Sequence, residues 1–155
     1  MMISEYAEVV MKEHEGLRLK AYRCPAGKLT IGWGHTGKVD GAKIHKGLSI
    51  TKDKAQELFE EDIETVEAPL SKESYADNLS DDRWDALVSF IFNIGWGQFT
   101  KSTLRRKLLA NINDKTIPNE FRRWVYGTDP KTGAKIKLPG LVKRREWEAQ
   151  MYEDL

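Results

Sequence analysis

The sequence is short of several things, and each shortage closes off a class of protein. Of 155 residues only Cys24 is a cysteine, so no disulfide can form within the chain and the fold is indifferent to the redox state of its compartment. No run approaches the roughly 20 apolar residues of a membrane-spanning helix. The opening MMISEYAEVVMKEHEG has neither a basic leader nor an apolar stretch of signal-peptide length. The expectation is a protein made in the cytoplasm with no membrane anchor; a target beyond the membrane would need something else to open the way. There are three histidines, His14, His35 and His45. Neither they nor Cys24 form a close ligand pair of the H-E-x-x-H or C-x-x-C kind, which argues against a zinc centre. A dominant charge is missing too, since 25 Lys and Arg face 24 Asp and Glu. Residues 1–78 hold 11 basic and 14 acidic side chains, and residues 79–155 hold 14 and 10. That basic bias is too mild to indicate nucleic acid, which needs denser clustering and a reading element.

What remains is a chain with 40% hydrophobic residues, enough for one domain over residues 1–155 with a core that needs no staples. No repeat or low-complexity segment divides it, and nothing demands more than a monomer. Residues 4–14 read as a helix with Ser4 as N-cap, stopped by Gly16. Residues 18–48 lack helical period and are rich in Gly, Thr, Ile, Tyr and Trp, the mark of short antiparallel strands and tight turns such as CPAGK and TGK. From Thr51, Leu58, Phe59, Ile63, Val66 and Leu70 recur at helical spacing, and Pro69 is expected to end that helix. The strongest signal is SDDRWDALVSFIFNI, residues 80–94: Ser80 caps it, two aspartates favour its positive end, and Trp84, Leu87, Val88, Ile91 and Ile94 form one stripe. Gly95 closes it. Further helices are expected near 103–111, 118–126 and 141–152. Strands early and helices late mean α+β in two lobes: a small antiparallel β lobe over about 16–50, a linking helix over about 51–68, and a helical lobe over about 70–155 onto which helix 4–14 packs. A cleft between lobes is a natural binding site.

Gly32–Gly37, GWGHTG, matches the dinucleotide pattern G-x-G-x-x-G, but KVDGAKIHKG follows, which cannot begin a helix to hold a pyrophosphate. The glycines instead permit positive φ and tight hairpin packing, and no cofactor is implied. A thiol nucleophile formed by Cys24 and His35 would lack a third group to orient it. The pairs Arg105–Arg106, Arg122–Arg123 and Arg144–Arg145 read as solvated helix faces, or else as attractors of anionic wall or lipid.

EGLRLKAYRCPAGKLTIGWGHT, from Glu15 to Thr36, closely resembles the signature segment of the phage-type lysozymes. The resemblance continues through ALVSFIFNIGWGQFTKSTLRRKL, Ala86–Leu108, and NEFRRWVYGTDPKTGAKIKLPGLVKRREWE, Asn119–Glu148. It covers nearly the whole chain and implies the lysozyme-like α+β fold, with a cleft between the lobes. The family's glutamate acid, its Asp-or-Cys position and its Thr fall on Glu15, Cys24 and Thr30. The implied substrate is peptidoglycan, cut at the β-1,4 bond between N-acetylmuramic acid and N-acetylglucosamine.

The chemistry suits those residue types. A glycosidic oxygen leaves poorly unless it is protonated as the bond breaks; burial of Glu15 at the helix–strand junction would favour its acid form. The sugar, turned oxocarbenium-like, then needs a nucleophile on its other face. An unperturbed thiol, with a pKa of about 8.5, is a poor base near neutral pH, but Arg23 and Lys28 are near in sequence, and the Thr30 hydroxyl can hold a water. Cys24 either shares in activating that water, attacks carbon itself, or merely fills a turn. Gly32 and Gly34 would let backbone approach a sugar, and His35 would be a hydrogen-bonded structural residue. Gly34, Thr36 and Phe92 align with positions lining the family's cleft, although Phe92 is equally a core residue. Asn93 is either a cleft hydrogen-bonding group or a C-cap. The leading expectation is an endolysin that reaches the wall with the help of a holin. The alternatives are a lytic transglycosylase, which can work with one acid and no second carboxylate, and a wall-binding domain without catalysis.

Overall fold

The computed structural model describes residues 1–153. Helix α1 spans Glu5–Glu15; Ser4 caps it by accepting from the Ala7 N–H, and Gly16, at φ 71°, ends it. Glu15 is therefore the last helical residue, where the chain turns into strand. Strands β1 (Arg18–Arg23) and β2 (Leu29–Gly32) form an antiparallel hairpin with Tyr22 opposite Thr30. A bulge between Arg18 and Tyr22 lets β1 also reach residues 48–50, through Ala21 N–H to the Leu48 carbonyl (2.8 Å) and Ile50 N–H to the Leu19 carbonyl (2.8 Å).

Helix α2 spans Lys52–Ser71, and Pro69 lies inside it. The helix runs two residues past it despite the bond Pro69 cannot donate, and that turn buries Leu70 in the main core. Leu58, near its start, packs with Ile31, Val39 and Ile44 in a small cluster under the strand region; Phe59, Ile63, Val66 and Leu70 belong to the main core. Helix α3, Asp81–Ile94, is buried at every position from Trp84 to Ile91. It packs against α2 through the Trp84 Nε1–H donated to Glu67 Oε2 (2.9 Å), and against α7, Pro139–Glu153, at the centre of the molecule. Helix α1 is tied to this core by Met11 and by Ser4, whose N–H and Oγ–H both donate to Asp85 on α3, at 3.0 and 2.6 Å.

Two further features depart from expectation. Helix α4, Trp96–Thr100, is an extra short helix ahead of α5, Thr103–Ala110. The helix expected over 118–126 is only Ile117–Arg122 (α6), and a second hairpin follows, β3 (Tyr126–Thr128) against β4 (Lys135–Lys137). The turn DPKTGA accounts for it: Asp129 accepts from Lys131 N–H and Thr132 Oγ–H at 3.0 Å each, and its own N–H reaches the Ala134 carbonyl at 2.8 Å. An Asx-type turn with glycine at the required positive φ closes a hairpin more effectively than Trp-Val-Tyr continues a helix. Sheet is therefore not confined to the early part of the chain.

Candidate active site

Glu15 projects from the last turn of α1 with 14% of its side chain exposed. It is not a solvated helix end, nor is it buried among apolar groups. Oε1 accepts from Arg144 Nη1 on α7 at 3.0 Å, while Oε2 faces Gly34. A β-carbon at Gly34, whose φ is +75°, would lie 2.6 Å from Oε2. Glycine at 34 thus serves both the turn and the space for the carboxyl.

Arg144 and Arg145 correct the reading of that pair as a solvated face, being 2% and 0% exposed. Arg144 donates from Nη2 to the Ser89 carbonyl (3.2 Å) and from Nε to Ser89 Oγ (3.3 Å). Glu148, also unexposed, accepts from Ser89 Oγ at 2.5 Å. Sequence reasoning missed all of these as site residues. Helical period places 144, 145 and 148 on one side of α7, but two arginines and a glutamate on a face are usually solvent-facing.

Cys24 stands at the end of the β1–β2 hairpin. Its N–H donates to the Lys28 carbonyl (2.9 Å), and its carbonyl accepts from Gly27 N–H (2.7 Å). Burial pushes the thiol up, but hydrogen bonds from the backbone of Lys28 and Ala26 and from the Thr30 hydroxyl outweigh it, and the net pKa lies below the usual value. The expected cause is therefore replaced: Arg23 spends its guanidinium on the Gly27 carbonyl at 2.9 Å, and Lys28 acts through its backbone. Thr30 is 3% exposed, and its Oγ also reaches the Lys28 carbonyl at 3.0 Å. Period two puts Tyr22 and Cys24 on one face of the hairpin, and register puts Thr30 beside Tyr22 on that face. Tyr22 feels both Glu15 and Cys24: burial first, then those two groups, raise its pKa.

The remaining expected residues fall around two grooves. One, of about 190 Å³, is lined by Gly34, Thr36, Phe92, Gly95 and Trp96 among others. The other, of about 750 Å³, lies between the two hairpins and is lined by Cys24, Asn93, Gln98, Trp124 and Tyr126 among others. Phe92 fills both of its candidate roles, since it lines the first groove and its ring lies 5.6 Å from that of Phe59 in the core. Asn93 is an exposed lining residue; the C-cap is Gly95. Gly32 (φ 68°) and Gly34 bracket a tight loop closed by two Ile31–His35 backbone bonds of 2.9 Å. His35 bridges Asp62 (2.8 Å from Nδ1) and the Lys38 carbonyl (2.9 Å from Nε2). His14 lies beside Trp147, with ring centroids 6.4 Å apart; burial and the nearby Arg144, Lys143 and Arg145 lower it to about 4. No group of three His, Cys, Asp or Glu close enough to hold a metal occurs among the described residues.

Comparison with known proteins shows the family. The profile of the phage lysozyme family matches residues 12–148. The chain is 40% identical over 154 residues to the endolysin of Acyrthosiphon pisum secondary endosymbiont phage 1, covering 99% of each. It is 42% identical over 147 residues to that of Salmonella phage P22, covering 94% of this chain and 95% of the relative. The structure of an endolysin from Escherichia coli O157:H7 phage FAHEc1 superposes with a TM-score of 0.82 at 32% identity, covering 99% of this chain and 94% of the other. The chain belongs to the phage lysozyme family and is an enzyme of the lysozyme kind.

Proposed function

We propose that this lysozyme cleaves the β-1,4 bond between N-acetylmuramic acid and N-acetylglucosamine in peptidoglycan, with Glu15 as general acid and Cys24, oriented by Thr30, activating the attacking water. The observation that carries this reading is the Glu15 carboxyl held at Oε1 by Arg144 and left open at Oε2 over Gly34. The proton is carried on Oε2 and passes to the glycosidic oxygen as its bond to the anomeric carbon breaks. Water then bonds to that carbon and yields its proton to the Cys24 sulfur, whose lowered pKa enlarges the thiolate fraction able to receive it. Thr30 has a single hydroxyl proton and two takers, the Lys28 carbonyl and the Cys24 sulfur, so its contribution is to steer the sulfur. Gly34, Thr36, Phe92 and Asn93 would line the path of the glycan.

No helix among the described residues is long and apolar enough to cross a membrane. The proposal includes synthesis in the host cytoplasm, action at the wall, and passage through a membrane opened by a holin. Clearing of permeabilised Gram-negative cells tests the chemistry. Glu15→Gln should lose at least about a thousandfold in rate and Cys24→Ala about a hundredfold or more, in line with the usual weight of a positioned acid and base, and Cys24→Asp should keep substantial activity. Full activity in Cys24→Ala would remove the thiol from the mechanism. Reducing muramic acid ends in the digest support hydrolysis, whereas 1,6-anhydro ends would identify a transglycosylase.

A further inference from the structure

Behind Glu15 lies a chain of three buried charge-bearing side chains, Arg144, Glu148 and Arg145. Every nitrogen of Arg144 that carries hydrogen is committed: Nη1 forward to Glu15 Oε1 (3.0 Å), Nη2 to the Ser89 carbonyl (3.2 Å), and Nε to Ser89 Oγ (3.3 Å), with Glu148 Oε2 also 3.5 Å from Nε. Glu148 in turn takes Arg145 Nη2 on Oε2 at 3.1 Å. Arg145 Nε lies 2.7 Å from Oε1, at ion-pair distance but without the alignment of a hydrogen bond. The Arg145 guanidinium rests 5.0 Å above the Phe90 ring of α3.

Such a cluster is a poor device for stability. Replacing a buried ion pair with apolar side chains of similar volume is often neutral or stabilising, because desolvation consumes the Coulomb gain. Burial pushes the Glu148 carboxyl up and the Arg145 guanidinium down, each opposed by the other's charge. The cluster does end, however, on Glu15, the carboxyl proposed above as the acid.

We infer that Glu148 is a positioning residue for the reaction: held by Ser89 and balanced by Arg145, it fixes the Arg144 guanidinium and so the Glu15 carboxyl. Glu148 makes no contact with the cleft. It acts in two ways, by setting where Arg144 points and by cancelling part of the positive charge that Arg144 and Arg145 direct at Glu15. Other titratable groups also lie near the acid. Tyr22, on β1, is raised above the ordinary tyrosine value, and His14, on α1, falls to about 4. Lys143, on α7, acts on His14. Cys24, beyond β1, acts on Tyr22, and its contribution is common to every variant below.

The inference rests on Glu15 being the acid, and the experiment keeps the two apart. The pH dependence of kcat is measured on wall fragments for the wild type, Glu148→Gln, Arg145→Met and the double variant, with Glu15→Gln as control. Glu148→Gln removes a negative charge behind the acid. The ionised Glu15 is then favoured, and the alkaline limb of the profile should move to lower pH while kcat falls about tenfold to a hundredfold at constant KM, the scale of a slightly misplaced acid. Arg145→Met removes a positive charge, and the limb should move to higher pH. The double variant restores the charge balance and should return the limb towards its original position. If Glu148→Gln unfolds, the opposed shifts of Arg145→Met and the double variant decide. An unmoved limb in all variants, with only the melting temperature lowered, would falsify the positioning role and leave Glu15 as acid untouched. An active Glu15→Gln would overturn the underlying assignment instead.

Discussion

Gly34 shows how little room the acid has. Two requirements meet at this residue: a positive φ that L side chains rarely adopt, and the absence of a β-carbon beneath Glu15 Oε2. Gly27 has the first without the second, since its φ is +85° and nothing lies within 4 Å of an added β-carbon. Alanine at either position should destabilise by about 1–2 kcal/mol through backbone strain. Only Gly34→Ala should also depress turnover, by about tenfold or more, because the carboxyl must move. Thermal melts and the clearing assay on both variants separate the two effects; equal activities would detach Gly34 from the site. The position of Glu15 at the end of the first helix was legible in the sequence. Its partner was not, because nothing in KRREWE distinguishes an arginine that turns inward from one that faces water.

The helices begin where short polar side chains satisfy their free N–H groups. Ser4, Thr51, Ser80 and Ser102 each accept from the third residue onward. Two of these caps differ in what else they hold. Ser80 serves α3 alone, from an exposed position. Ser4 also gives its hydroxyl proton to Asp85, a buried carboxyl that burial pushes up and the Ser4 bonds pull down. Ser80→Ala should therefore cost about 1 kcal/mol. Ser4→Ala should cost about 2 kcal/mol or more, since it strands a buried acceptor as well. Urea unfolding at neutral pH measures the difference, and equal losses would show that the Asp85 bond adds nothing. Caps and apolar stripes made most elements readable in advance. The β3–β4 hairpin was not, because its strands are only three residues each and its stability comes from the Asp129 turn and from Leu138 packed against Gly127.

Across the whole molecule, α2 joins the small cluster under the strands to the large helical core, and His35–Asp62 pins the loop after β2 to that helix. The Asp62 hydrogen bond raises the His35 pKa above 6.5, against the opposing pull of burial. A raised histidine stabilises the fold fully below its unfolded pKa of 6.5, and the benefit fades as pH climbs through the higher folded value. The melting temperature should accordingly fall as pH rises from about 6.5 through the range above it, and Asp62→Asn should flatten that fall. Parallel pH dependences in the two proteins would show that the pair is not coupled to folding. By itself, the sequence determined the order of most elements, their caps, the central helix and the residues that resemble a lysozyme signature, because these depend on neighbours within a turn or two of chain. Only the tertiary structure decided that Arg144 lies against Glu15, that the Cys24 sulfur is tuned by its own hairpin's backbone and Thr30 rather than by nearby charges, and that Glu148 stands behind both arginines. The Cys24 contacts follow from how the β1–β2 hairpin closes; those of the arginines and Glu148 join residues up to 129 positions apart and follow from how α7 settles against α3 and α1, with desolvation acting only once that packing has closed over the charges.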